Sequence, residues 1–200
     1  MIEQKLIAAG ISKIAGVDEA GRGACAGPLV VAAVILRDLD SPRLKEVKDS
    51  KELTPKKRDK VFDVIIDESL AYSIIEITPS EIDLIGLHRA NLEGMRRAIS
   101  ALSTNPNYIL TDGYEIEGLP APSLAVWKGD QVALSISAAS ILAKVYRDRI
   151  MQELDGKYPS YGFASHKGYV TRSHQESLKK YGVSDVHRRS YANIAALINN

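Results

Sequence analysis

The 200-residue sequence predicts an α/β fold: a mixed β-sheet flanked by helices, followed by a helical C-terminal extension. Three observations carry this. Two short apolar segments separated by a glycine-rich bend read as a hairpin pair, and strand-like runs then alternate with helical periodicity. Beyond residue 158 the chain changes character and becomes basic and rich in histidine.

The elements follow in order. Ile14-Ala15-Gly16-Val17-Asp18 is a short strand. After the bend Gly21-Arg22-Gly23-Ala24-Cys25-Ala26-Gly27, Pro28 opens Leu29–Leu36, where Val or Ile fills half the positions. Such β-branched density favours a buried strand over a helix. Residues 38–51 are polar, contain Pro42 and read as a loop. Thr54-Pro55 puts proline at a helix start, and Val61, Phe62, Ile65 and Ile66 give Lys57–Ser69 a helical stripe. Ala71–Ile77 reads as a strand and Leu87–Leu102 as a helix. Tyr108–Thr111 is a strand that stops at Asp112-Gly113, and Leu124–Trp127 one that stops at Lys128-Gly129-Asp130. Ser135–Leu154 is a long helix with Ala138, Ala139, Ile141, Leu142 and Val145 on its core face and Lys144, Arg147 and Asp148 outside or at a rim. Helices at Thr171–Tyr181 and Tyr191–Asn199 complete the chain. The division expected is a main domain over 1–158 and an extension over 159–200 packed on it.

Composition excludes several classes. With 45% hydrophobic and 26% charged residues the chain can bury a core, and a net charge of +1 singles out no partner. The single cysteine, Cys25, excludes an internal disulfide and a multi-cysteine zinc site, and reads as a packing residue. No apolar run approaches the roughly 20 residues that span a bilayer. The N-terminus carries Glu3 and lacks the apolar stretch of a secretory signal. The expectation is a monomeric protein of a reducing cytoplasm, without membrane association. The extension is the basic part, with Lys167, Arg172, Lys179, Lys180, Arg188 and Arg189 against Glu176 and Asp185.

The carboxylates are the most informative residues. Asp18 and Glu19 close one strand, Asp112 closes another, and Asp130 lies just past a third. Ligands of open sheets bind at the carboxyl ends of parallel strands. Carboxylates brought together there repel one another and raise each other's pKa, a conflict that a divalent cation such as Mg²⁺ or Mn²⁺ removes. The alternative is that each Asp caps a helix or makes a turn. Strand alternation sets a condition: adjacent Asp18 and Glu19 serve one site only if the strand ends or bulges there, for which Gly21 and Gly23 make room.

Other segments admit two readings. Gly21-Arg22-Gly23 is either a hairpin turn or a backbone nest for phosphate with Arg22 as an added donor. It is not a dinucleotide fingerprint: the glycine spacing is wrong, and a β-branched run stands where a helix is required. Lys48, Ser50 and Lys51 belong either to a solvated face or to a phosphate contact. Tyr169, in His166-Lys167-Gly168-Tyr169, is either partly buried or free to stack on a sugar or base. No nucleophile–histidine arrangement is defensible.

Taken together, these segments resemble ribonuclease HII, the bacterial type 2 ribonuclease H. The resemblance is carried by Gly16-Val17-Asp18-Glu19-Ala20-Gly21-Arg22-Gly23, Asp49-Ser50-Lys51, Thr111-Asp112-Gly113, Lys128-Gly129-Asp130, the stretch from Ser137 to Asp148, and His166-Lys167-Gly168-Tyr169. These motifs stand in the family's order from about residue 14 to about residue 190. The resemblance implies a ribonuclease H-like fold and endonucleolytic cleavage of RNA in RNA–DNA hybrids, including at single ribonucleotides within duplex DNA. It implies two divalent ions, Mg²⁺ or Mn²⁺, held by Asp18, Glu19, Asp112 and Asp130. It places junction contacts on Gly21, Arg22 and Gly23, the sensing of the ribose–deoxyribose step on Tyr169, and backbone contacts on Ser50 and Lys51. Type 3 relatives carry an added N-terminal substrate-binding domain; with the first acidic motif at Asp18, none is expected here. Asn91 is the one departure, in a helix where the family pattern leads to threonine.

Overall fold

The computed structural model describes residues 1–52 and 54–198, and the side chains of all of these but 48–52. The elements are α1 (Ile2–Ala8), β1 (Ile14–Ala20), β2 (Leu29–Leu36), a 3₁₀ segment (Pro42–Glu52), α2 (Pro55–Glu68), β3 (Ser69–Ile77), α3 (Pro79–Ile85), α4 (Leu87–Ser100), β4 (Tyr108–Asp112), β5 (Ser123–Val126), α5 (Gly129–Val132), α6 (Leu134–Lys157), α7 (Phe163–His166), α8 (Arg172–Tyr181) and α9 (Ala192–Ile198).

The strands form one sheet in the order β3-β2-β1-β4-β5. β1, β2 and β3 pair antiparallel, whereas β4 and β5 join parallel to β1. This is the mixed sheet that the sequence predicts. β2 lies inside the sheet and is covered on both faces, so all eight of its residues are buried. Its Val30, Ala32 and Val34 face α2 and α6; its Leu29, Val31, Ala33 and Ile35 face α3 and α4. The long helix α6 comes so close to β1 that a Cβ on Gly16 would overlap the backbone of Ser135. Glycine is the residue that permits that approach.

Beyond α6, the helices α7–α9 share a core with the bend after β1: Phe163, Leu178 and Ile194 pack with Cys25, Ala26 and Met151. Cys25 is buried there, as a packing residue should be. Several elements escape the sequence patterns. α1 is amphipathic only over two turns, yet it packs Ile2 and Leu6 against Ile14 and Leu110. α3 and the one-turn helices α5 and α7 are too short to show periodicity, and the loop expected at 38–51 contains the 3₁₀ segment. Arg147, expected outside or at a rim, is fully buried. No helix among the described residues is long and apolar enough to cross a membrane.

Candidate active site

β1, β4 and β5 run parallel, and their carboxyl ends open onto a cavity of about 490 Å³. Asp18, Glu19, Asp112 and Asp130 all line it, together with Arg22, Gly113, Tyr114, Trp127 and Lys128. Pairing of β1 with β4 stops at Val17–Thr111, so Asp18 and Asp112 come next on neighbouring strands. Asp112 accepts the Gly129 N–H at 2.6 Å, which ties the end of β4 to the first turn of α5, where Asp130 stands.

The expected break between Asp18 and Glu19 is absent. Pairing with β2 continues in register through Ala20, and the two side chains do leave on opposite faces. Asp18 meets Ser140 of α6, which helps to lower its pKa, while Glu19 meets Asn91 of α4. Both still border the cavity because it lies at the end of the sheet, where the faces meet.

This environment is costly for negative charge. Asp18 is only 6% exposed, and its pKa is raised well above the carboxylate range, by burial first and then by the charges of Glu19 and Asp112. Glu19 is raised too, chiefly by burial; Arg22 works in the opposite direction. Its Oε2 is buried without a hydrogen-bond partner. A hard, oxygen-only donor set with an orphaned buried oxygen fits a divalent ion. Among the described residues, however, no three such side chains stand ready to hold a metal between them. Ions of the Mg²⁺ type tolerate this, since they keep several waters and take one or two carboxylates along with substrate phosphates.

Next to the carboxylates lies a second cluster. Gly21 has φ +89°, a left-handed conformation, and Gly23 faces the Tyr169 ring, which would stand 3.7 Å from a Cβ added there. Tyr169 is 39% exposed, with the Arg147 guanidinium 5.7 Å from its ring centroid. The Arg22 carbonyl accepts from Arg188 Nη1 at 3.2 Å and from the Tyr191 hydroxyl at 2.5 Å. In a trans peptide that inward carbonyl turns the Gly23 N–H outward. The tertiary structure thus brings Gly21, Arg22, Gly23 and Tyr169 together beside the carboxylates. The side chains of Ser50 and Lys51 lie outside the described residues.

A family model described as ribonuclease HII matches residues 15–194, a span that contains every residue of both clusters. The chain belongs to the ribonuclease HII family. A ribonuclease HII of Corynebacterium jeikeium is 52% identical over 98% of this chain and 94% of its own length. The ribonuclease H2 of Pyrococcus horikoshii OT3 superposes with a TM-score of 0.82 at 33% identity, covering 94% of this chain and 97% of that one. Bst-RNase HIII, solved in complex with Mn²⁺, has a TM-score of 0.70 at 17% identity over 94% of this chain and 69% of its own, a likeness of fold alone. The family is one of hydrolytic endoribonucleases acting on the RNA strand of RNA–DNA hybrids, and it depends on divalent metal.

Sequence patterns assign no structural role to four residues that hold the site and the helix behind it. Arg147 donates to the carbonyls of Pro28, Lys167 and Ala26, and Arg188 to those of Gly27 and Arg22. These two buried guanidiniums clamp the glycine bend to the C-terminal helices. Arg188 therefore contributes nothing to the exposed charge of the extension. Asn91 is fully buried against Glu19 and lowers its pKa, though neither of its amide atoms completes a regular hydrogen bond. Glu3 accepts the N–H and hydroxyl of Ser135 at 2.9 and 3.0 Å, capping the start of α6. Of the four, only Asn91 carries a signal in the sequence, as a departure from the family pattern; the others depend on partners remote in the chain.

Proposed function

We propose that the chain hydrolyses the RNA strand of RNA–DNA hybrids and also cuts 5′ of a single ribonucleotide embedded in duplex DNA, leaving 5′-phosphate and 3′-hydroxyl ends. One observation carries the reading: four carboxylates line a single cavity at parallel strand ends, directly beside the exposed Arg22 and Gly23 and the exposed Tyr169. Asp18, Glu19, Asp112 and Asp130 would hold two Mg²⁺ or Mn²⁺ ions, with Asp18 shared between them. Those ions supply Lewis acidity toward the scissile phosphate, a lowered pKa for attacking water and charge stabilisation for the leaving oxygen.

The chain's own residues select the cut. Only the 2′-hydroxyl distinguishes a ribonucleotide within DNA, and the outward N–H of Gly23 with its neighbours Gly21 and Arg22 holds that group. Tyr169, steadied from behind by Arg147, packs on the deoxyribose that follows. Ser50 and Lys51 contact the backbone. The exposed lysines and arginines of the 159–200 extension add affinity that falls with salt. These contacts address sugar and phosphate rather than base edges, so cutting is independent of sequence.

The test is incubation of the protein with an RNA–DNA hybrid, a duplex with one ribonucleotide and an all-DNA duplex, each with Mg²⁺, Mn²⁺ or EDTA. Metal-dependent cleavage of the first two and not the third is expected. Cleavage of all-DNA duplex, or cleavage in EDTA, would overturn the reading.

A further inference from the structure

We propose that Trp127 is a substrate-contacting residue, an aromatic platform at the rim of the carboxylate cavity on which one nucleotide of the bound strand stacks. The inference rests on the reading that nucleic acid enters this cavity. Trp127 is the chain's only tryptophan and is 80% exposed, although tryptophan is on average among the more buried residues. It is no isolated surface residue, because it lines the same cavity as the four carboxylates.

The backbone holds it outward. β5 ends at Val126, whose carbonyl accepts the Gly113 N–H at 3.0 Å. Lys128 then adopts a left-handed conformation at φ +51°, one that disfavours residues with a Cβ, and Gly129 is tethered to Asp112. The turn that carries the indole is therefore anchored on both sides to the catalytic strands. Such strain in a non-glycine residue persists where the surroundings impose it, commonly at functional sites.

The cavity's chemistry identifies the occupant. On its rim the Arg22 guanidinium lies 5.0 Å from the ring centroid of Tyr114, so cation and aromatic already pair beside the carboxylates. A ligand here must carry phosphate for metal and cation, and a flat face for the indole. A nucleotide has both, and stacking tolerates any base because every base has a π-face. With the backbone already anchored, only the indole's own two side-chain torsions are left to be ordered on binding.

The sole tryptophan makes the test direct. The cleavage-deficient Asp18→Asn protein is titrated with a duplex bearing one ribonucleotide while indole fluorescence is followed; saturable quenching is expected. In steady-state cleavage, Trp127→Ala should raise KM roughly 5- to 100-fold with kcat little changed, and Trp127→Phe should recover most of the loss. Unmoved fluorescence on saturation, or an unchanged KM in Trp127→Ala, overturns the platform while the parent still cuts its substrate. A parent that cuts no ribonucleotide-containing duplex removes the underlying reading first, so the two failures are distinct.

Discussion

Gly21 lies directly against Arg147: a Cβ on Gly21 would overlap Nε and stand 2.6 Å from Cζ. The guanidinium yields only at a cost, because it is buried and bonded at 2.9, 2.9 and 3.0 Å to three backbone carbonyls. Its pKa is lowered to about 10, by burial first and then by Arg188, which leaves it charged at neutral pH. Gly21 is thus the point where the bend beside the carboxylates rests on the charge that also supports Tyr169.

Gly21→Ala should accordingly lose more than about 1 kcal/mol of stability, from the positive φ and the clash together. Urea unfolding measures this. Cleavage at a single ribonucleotide should fall further than the stability loss alone accounts for, since Arg147 must shift away from Tyr169. A variant with parental stability and rate would show that the bend relaxes freely.

Asp18→Asn should separate stability from activity. Burial and the neighbouring charges of Glu19 and Asp112 disfavour the Asp18 carboxylate, so an uncharged amide should raise the melting temperature at neutral pH in the absence of metal. Cleavage should drop by more than about 100-fold, exceeding the cost of losing a residue that merely supports a metal ligand. Thermal melts in EDTA and single-turnover cleavage in Mg²⁺ check the two halves.

Asn91→Leu removes the amide beside Glu19. Its lowering effect on Glu19 is then lost, and proton competition with metal grows. The divalent ion concentration for half-maximal rate should rise by about 10-fold, within the range for groups that orient metal ligands. The rate at saturating metal should recover. A metal titration of both proteins at pH 7 decides it.

The histidines of the extension predict the acid limit. His187 accepts from or donates to His174 across 3.0 Å, and His166 stacks on His174 at 4.3 Å. Burial, then the charge of His174, lowers His187 to about 4 from an ordinary 6.5, and burial lowers His174 as well. Between those limits the unfolded chain binds protons that the folded chain does not. Stability from these groups is therefore full above about pH 6.5 and is lost as pH falls toward 4. Asp18 and Glu19, raised by folding, act with the opposite sign. Melting temperatures from pH 8 to pH 4 should fall less steeply in His187→Gln than in the parent; parallel curves would discharge His187 from the effect.

The sequence by itself determined the strands, the principal helices and the four acidic positions, because each depends on local physics. Period-2 and period-3.6 patterns, Pro55 at a helix start and a β-branched run at 29–36 can be read without knowing what packs where. It also marked Gly21–Gly23 and Tyr169, though not that they adjoin. Only the tertiary structure decided how Asp18 and Glu19 reach one cavity: they leave opposite faces of an unbroken strand, and the cavity lies at the sheet's end. It alone decided that Arg147 is buried, that Glu3 caps a helix far along the chain and that Trp127 stands exposed at the rim. Each of these depends on partners remote in sequence, and a side chain's environment is set by whatever the fold brings against it.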